Sequence, residues 1–458
     1  MPAQSLHGWG STNPTVADVR DLTSARLASV LSAVGPRGAL VRGLGRSYGD
    51  AAQNSGGLVL RLADTVHGVV LDPDAGTATV PAGVSLDDLL RLIVPHGFFV
   101  PVTPGTRFVT VGGAIASDVH GKNHHLDGTF GSHVRSMRLV MADGRQVTIG
   151  PDHDPQLFWA TVGGIGLTGA IVEATIGLIP ISSSRMRVDT SRHDNIDELM
   201  AAMADGDDGY RYSVAWLDPL ATGASLGRSV LTRGDHASAE ELSGRARRDP
   251  LAYAAAQRAV LPALVPSPGL INRASVTAFN ELWFRKAPRR RVGELQSIPA
   301  FFHPLDAIGR WNRVYGRRGM IQFQFVVPFG AGDVVRTVVQ RLAEHGTPSF
   351  LSVLKRFGAA NPAPLSFPAP GWTLAIDVPA AAPGLAELLY SFDDLILDAG
   401  GRHYFAKDAH TVPESIRRGY QRLAEWQQIR QRVDPDGVWQ SDMSRRLQLS
   451  AKSATDHR

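Results

Sequence analysis

Two glycine-rich segments about sixty residues apart constrain this chain more than any other feature: "VRGLGRSYGD" (Val41–Asp50) and "PVTPGTRFVTVGGAIASDVHGKNHH" (Pro101–His125). The first places Gly43, Gly45 and Gly49 behind a strand-like run, one residue wider than the Rossmann spacing. Successive backbone N–H groups in such a turn form a concavity for phosphate oxygens. The second sets Gly105, Gly112 and Gly113 ahead of the small residues Ala114, Ala116 and Ser117. Main chain without bulky side chains can lie against a flat or extended ligand. Either segment alone reads equally well as a packed turn. Together they predict a large cofactor.

A literal G-x-G-x-x-G also occurs, at Gly164, Gly166 and Gly169. A dinucleotide fold needs a strand before that pattern and a helix after it, so that a helix N-terminus meets the pyrophosphate. Here "DPQLFWATVGG" reads as a helix before it and "GAIVEATIGLIPI" as a strand after it. The context is inverted, which argues against a nicotinamide site.

A length of 458 residues predicts two or three structural units. The formal net charge of +4 is too small to mark a nucleic-acid binder. The absence of cysteine excludes disulfides, thiolate metal sites, thiol nucleophiles and cysteinyl-linked cofactors. No basic stretch followed by an apolar run opens the sequence, and no run of about 18 apolar residues occurs. The expectation is a chain without signal peptide or membrane span, cytoplasmic or peripheral at a membrane.

Up to residue 183 the runs "GALVRGL", "GLVLRL", "TATVPAG" and "QVTIG" read as short strands bounded by turn residues. "SLDDLLRLIVPHG" reads as a helix, with Ser85 as N-cap and Gly97 as its stop. Farther on, "YRYSVAWLD", "ELWFRK", "MIQFQFVVP", "SFLSVLKRFG" and "WTLAIDVP" read as β-rich, separated by the helices "AGDVVRTVVQRLAEHG" and "PGLAELLYSFDDLILDAG". That order predicts an α+β fold with an antiparallel sheet. "PESIRRGYQRLAEWQQIRQRVDP" reads as one last helix.

His120, His124 and His125 crowd into ten residues. A zinc site on a helix wants H-x-x-x-H with a nearby carboxylate, but Gly121 and Asn123 break the helix between them. No metal is expected, and a buried, hydrogen-bonded imidazole on a loop fits better. Lys407, in the strand-like run "YFAKD", sits between Ala406 and Asp408. Partial burial there would lower its pKa towards that of a base. Gln322 and Gln324 share one face of a strand by alternation, and paired amides suit hydroxyl-rich ligands. The basic segment "FRKAPRRRVGELQ" (Phe284–Gln296) reads as a solvated loop or as a mobile element drawn to anionic headgroups or a phosphorylated substrate.

The segments "RGLGRSYGD", "PGTRFVTVGGAIASDVHGKNHH", "FWATVGGIGLTG", "IQFQFV", "APLSFPAPGW", "YFAKD" and "SDMSRRL" stand in the same order as in the decaprenylphosphoryl-ribose oxidases. These are flavoenzymes of the vanillyl-alcohol-oxidase-type FAD superfamily. The chain resembles them from about Gly8 to Leu447. The resemblance implies an FAD-binding domain in two parts, 1–183 and the returning segment 401–458. A substrate domain on an antiparallel sheet, 184–400, is inserted between them. It implies that Gly43, Gly45, Arg46, Ser47, Tyr48 and Gly49 hold the FAD pyrophosphate. Gly105, Thr110, Val111, Gly112 and Gly113 would line the rest of the cofactor. Ser117, Asp118, Val119, His120, Ile171 and Tyr404 would complete its site. Many relatives bond the flavin through a histidine where Arg46 stands here, so non-covalent FAD is expected.

By the same resemblance Lys407 is the catalytic lysine, with His120 or Tyr48 as its relay. Lys122, Gln322, Gln324 and Lys355 would face the ribose and phosphate of a polyprenyl-phospho-ribose. The implied reaction oxidises the ribose 2′-hydroxyl to a ketone. That is the first half of an epimerisation yielding the arabinose donor of actinobacterial cell walls. A short-chain, NAD(P)H-dependent reductase would complete it, and a periplasmic location becomes conceivable. Two positions depart from the family motif GWNxC: Thr373 replaces the asparagine and Ala375 the cysteine. They leave open an alditol or aldonolactone oxidase of the same superfamily. A flavin-binding protein without turnover is the third reading, against which Lys407 argues.

Overall fold

The short apolar runs of the first 183 residues build two separate sheets. In the computed structural model, which describes residues 3–262 and 269–450, the strand Leu58–Leu62 lies between Thr15–Leu22 and Ala39–Arg42, parallel to both. Gln4–Leu6 adds antiparallel at one edge. A second, antiparallel sheet runs in the order Val70–Asp72, Thr77–Pro81, Ala170–Gly177, Val134–Val140, Gln146–Ile149. The helix Leu86–Ile93 begins where Ser85 accepts a hydrogen bond from the Asp88 N–H, and Gly97 follows its last turn at φ 82°. Its Leu86, Leu89, Leu90 and Ile93 are buried in the largest apolar core.

The second half forms one eight-stranded antiparallel sheet. Its order is Arg290–Ser297, Arg185–His193, Ser229–His236, Tyr212–Leu217, Ser352–Phe357, Gly371–Pro379, Met320–Val327, Arg402–His403. Side-chain alternation divides the two faces. Phe323, Phe325, Leu354, Leu374, Ile376, Ala215 and Leu231 pack against the helices Ile196–Gly206, Gly332–His345 and Leu385–Asp398. Residues in between point the other way, towards the amino-terminal sheets. The fold is α+β, as the order of elements predicts.

The carboxyl-terminal segment returns to the first half. Trp426 is fully buried and donates its indole N–H to the Ala160 carbonyl at 2.8 Å. Trp439 pairs its backbone with Ala39. Arg446 makes a forked pair with Asp50 (2.7 and 2.8 Å) and also reaches Asp408 at 2.8 Å. It therefore staples the first glycine loop to the loop that carries Lys407.

Three local expectations change. "ELWFRK" belongs to the helix Arg273–Lys286, not a strand, because Asn272 and Ser275 close a reciprocal capping box that starts a helix there. The basic segment is no loop: Arg290–Ser297 pairs with Arg185–His193 as the outermost strand. The last helix is broken into Pro413–Gly419 and Leu423–Val433. Tyr420 leaves helical geometry at the break, stacks on Phe405 and donates its hydroxyl to the His403 carbonyl at 2.7 Å. Among the described residues no helix is long and apolar enough to cross a membrane.

Candidate active site

The two glycine segments meet. A side chain at Gly43 would run into the side chain of Thr110, so only glycine lets the first loop lie against the second. Thr110 caps the short helix Val111–Ala116 by accepting from the Gly113 N–H at 3.1 Å. Tyr48 is tied by its backbone N–H to the Ala406 carbonyl at 2.8 Å, which brings the first loop beside Lys407. Between the loops and the large sheet lies a cavity of about 610 Å³, within the ~300–1,000 Å³ of small-molecule and cofactor sites.

One wall of the cavity is almost bare main chain. Gly43, Gly45, Gly105, Gly112, Gly113, Gly166 and Gly169 line it with small alanines. Gly105 and Gly166 have open space where a side chain would stand. The facing wall is the free side of the large sheet. Val214, Trp216, Val353, Lys355, Ala375, Gln322 and Gln324 project from neighbouring strands into the cavity. Among the described residues five basic side chains line the cavity, Arg42, Arg46, Lys122, Lys355 and Lys407, and no carboxylate does.

Burial dominates the electrostatics of these groups. Burial pulls Lys122 down to about 7, and burial with the charges of Lys407 and Lys122 does the same to Lys355. Lys122 donates to the Phe301 carbonyl at 2.6 Å. Lys407 lies over the Tyr48 ring, 4.0 Å from its centre. Burial lowers its pKa, and one anion, Asp377, opposes that. Asp377 is fully buried, raised by burial, and accepts from the Gln322 amide; its second oxygen has no partner among the described residues. The carboxylate expected to act on Lys407 was Asp408. It is instead paired with Arg446 and held well below the usual range. The "YFAKD" run is a turn, closed by the Lys407 N–H on the Tyr404 carbonyl, and not a strand.

His120 is kept neutral, chiefly by burial. The Gln324 amide donates to its Nε2 at 3.0 Å, which puts the ring proton on Nδ1, an atom without a partner among the described residues. His124 and His125 do other work. His124 accepts from the Gly358 N–H at 3.1 Å, and His125 bonds the Tyr210 carbonyl at 3.0 Å. Among the described residues no group of three or more metal-ligating side chains is gathered.

Two family models match the chain: an FAD binding domain over residues 25–150 and D-arabinono-1,4-lactone oxidase over residues 335–447. The decaprenylphosphoryl-β-D-ribose oxidase of Mycolicibacterium smegmatis is 46% identical over 97% of both chains. The chain belongs to this oxidase family. An uncharacterised protein of Streptomyces coelicolor is 39% identical over 80% of this chain and all of its own. An alditol oxidase from a Streptomyces species is 31% identical over only 38% of this chain and 42% of its own. The protein is thus an FAD-dependent oxidoreductase of the vanillyl-alcohol-oxidase type. The bare wall fits a large flat cofactor: it offers length, open space at glycines and two arginines.

Most residues that the family resemblance singles out reach this cavity, including Ser47, Ser117, Val119, Ile171 and Tyr404. Four do not. Gly49 backs onto the Asp408 carbonyl. Val111 is buried in the apolar core. Asp118 is turned inward, accepting from Gly131, Asn361 and Ser366, and so ties three loops together. Thr373 stands behind Gln324, donating to the Phe325 carbonyl at 2.8 Å. Sequence reading missed Asp377, Trp216, Phe279 and Trp283. Asp377 is placed by register: Thr373, Ala375 and Asp377 alternate onto one face, opposite Val326, Gln324 and Gln322.

Proposed function

We propose that the chain oxidises the ribose 2′-hydroxyl of decaprenylphosphoryl-β-D-ribose, or a close polyprenyl-phospho-ribose, to the 2′-ketone. The observation that carries this reading is a cavity whose described wall holds five basic side chains and paired glutamines and no carboxylate. A cofactor pyrophosphate and a substrate phosphate both call for such a wall, whereas a neutral polyol leaves Lys122 and Lys355 without a counter-charge.

Bound FAD supplies the two-electron acceptor for the hydride that leaves C2′. Gly43, Gly45, Arg46, Ser47 and Tyr48 hold its pyrophosphate side, and Gly105, Thr110, Gly112 and Gly113 its length. Ser117, Val119, Ile171 and Tyr404 close around it. Gly49, Val111 and Asp118 shape these loops from behind. Arg46, lying 3.8 Å over the Trp9 ring, stands where relatives carry a linking histidine, so FAD is held non-covalently. Lys407 in its neutral form takes the 2′-hydroxyl proton, with His120 or Tyr48 passing it on. Gln322 and Gln324 orient the sugar, and Lys122 and Lys355 meet the phosphate. Ala375 leaves room on the wall, and Thr373 fixes the Gln324 amide.

The division into 1–183, 184–400 and 401–458 belongs to the same proposal, as do a reductase partner of the short-chain type and work at a membrane surface. Anaerobic titration of the yellow protein is the test. Polyprenyl-phospho-ribose bleaches the flavin and free polyols do not; bleaching by alditols alone would replace this reading with the alditol-oxidase one.

A further inference from the structure

Apolar side chains on described residues are left uncovered chiefly in one part of the chain. Eight of the fifteen large exposed ones fall between Val260 and Ile308. The helix Arg273–Lys286 buries only Val276 and Asn280. Its other face shows Phe279, Leu282 at 68% exposure and Trp283 at 44%, neighbours at helical spacing. The Phe279 and Trp283 rings stack, with an interplanar angle of 12°, and both belong to the cavity wall. Next in sequence comes the outermost strand, Arg290–Ser297, with Val292 exposed by 62%.

The same stretch concentrates positive charge. Residues 273–297 hold six basic and two acidic side chains, a net charge equal to that of the whole protein. Glu281 pairs with Arg228 and Arg285, and Glu294 with Arg291. Lys286, Arg289 and Arg290 have no carboxylate partner among the described residues. Charges on an edge strand are a common guard against aggregation. That accounts for the arginines but not for Leu282, Trp283 and Val292 in water beside them. Aromatic and aliphatic tips interleaved with cations are what the headgroup region of an anionic bilayer receives.

We propose that the helix Arg273–Lys286 and the edge strand Arg290–Ser297 form a docking face for an anionic lipid bilayer. The face turns the mouth of the cavity towards that bilayer. Leu282 and Val292 enter the headgroup boundary, Trp283 sits at its level, and the basic residues meet lipid phosphates. The role of the face in catalysis rests on the polyprenyl-linked substrate proposed above; lipid binding itself does not.

The test uses the full-length, FAD-loaded protein and flotation with vesicles of phosphatidylcholine alone or mixed equally with phosphatidylglycerol. The protein is expected to float with the anionic vesicles only, and less as salt is raised. The double variant Leu282→Asp/Val292→Asp should lose at least about tenfold in vesicle binding. It should keep its flavin content, its melting temperature and its oxidation of a detergent-dispersed short-chain prenyl-phospho-ribose. Failure of the parent protein to float, or equal flotation of the variant, overturns the proposal. Flotation that requires a second added protein overturns it too and assigns the face to a protein partner. Vesicle binding without flavin bleaching by any phospho-ribose leaves the docking face standing and removes the substrate reading.

Discussion

The two walls of the cavity are specified in opposite ways. The wall made by residues 41–48 and 105–120 works by what it lacks: glycines and alanines leave main chain and open space. The sheet wall works by what it carries, because alternation sends Gln322, Gln324, Lys355 and Ala375 into the cavity and their neighbours into a packed core. The bare wall is intolerant of added atoms where its loops touch, as at Gly43, and open where they do not, as at Gly105. A furnished wall tolerates changes of size but is sensitive to charge and protonation.

Four substitutions, two of them with a control beside them, break or sharpen that contrast. The largest effect is expected from Lys407→Ala, which should retain FAD yet slow flavin reduction by about a hundredfold to ten-thousandfold in rapid-mixing experiments. Undiminished reduction would remove its role as base. Gly43→Val, on the bare wall, should weaken FAD binding about tenfold to a hundredfold by collision with Thr110. Gly105→Ala, with open space around it, serves as the control in a flavin-release titration.

Asp377→Asn tests charge. Activity that needs neutral Lys407 rises with pH through the pKa of that lysine, which burial holds below the ordinary lysine value. The Asp377 anion favours the protonated lysine. Removing it should therefore move the rising limb of the pH–rate profile to lower pH, making the variant faster than the parent below that limb. An unmoved limb separates the two groups. The smallest effect is expected from Ala375→Cys, which restores the family's cysteine on the furnished wall. Its turnover should stay within about threefold of the parent, while a thiol reagent should label it unless substrate is present. Thr373→Cys, behind Gln324, should resist the same reagent.

The contrast between the walls also explains what could be read in advance. Glycines in a row and amides at i and i+2 are local signals, so the two loops and the Gln322–Gln324 face were legible. Asp377 was not, since "WTLAIDVP" looks like a strand buried on both faces until its register against Gln322 is known. The Gly164–Gly169 turn stands between the helix Pro155–Thr161 and the strand Ala170–Gly177, the inverse of the nicotinamide pattern, and it closes the cavity from outside both loops, a proximity no spacing encodes. "ELWFRK" misled because Leu282 and Trp283 are left exposed on a helix, where burial does not pattern them. The basic run became a strand by pairing with a partner about a hundred residues earlier. The order of segments shared with the family, and not composition, carried the remaining site residues.

Arg446 sets an order in time. Asp50 emerges from the ribosome 396 residues before the arginine that will hold it is made, an interval of roughly 20–80 s at ordinary synthesis rates. During that wait the first glycine loop lacks its guanidinium clamp, and for most of it the lysine loop as well. The clamp between Asp50 and Arg446 therefore closes only once the carboxyl-terminal segment has been made.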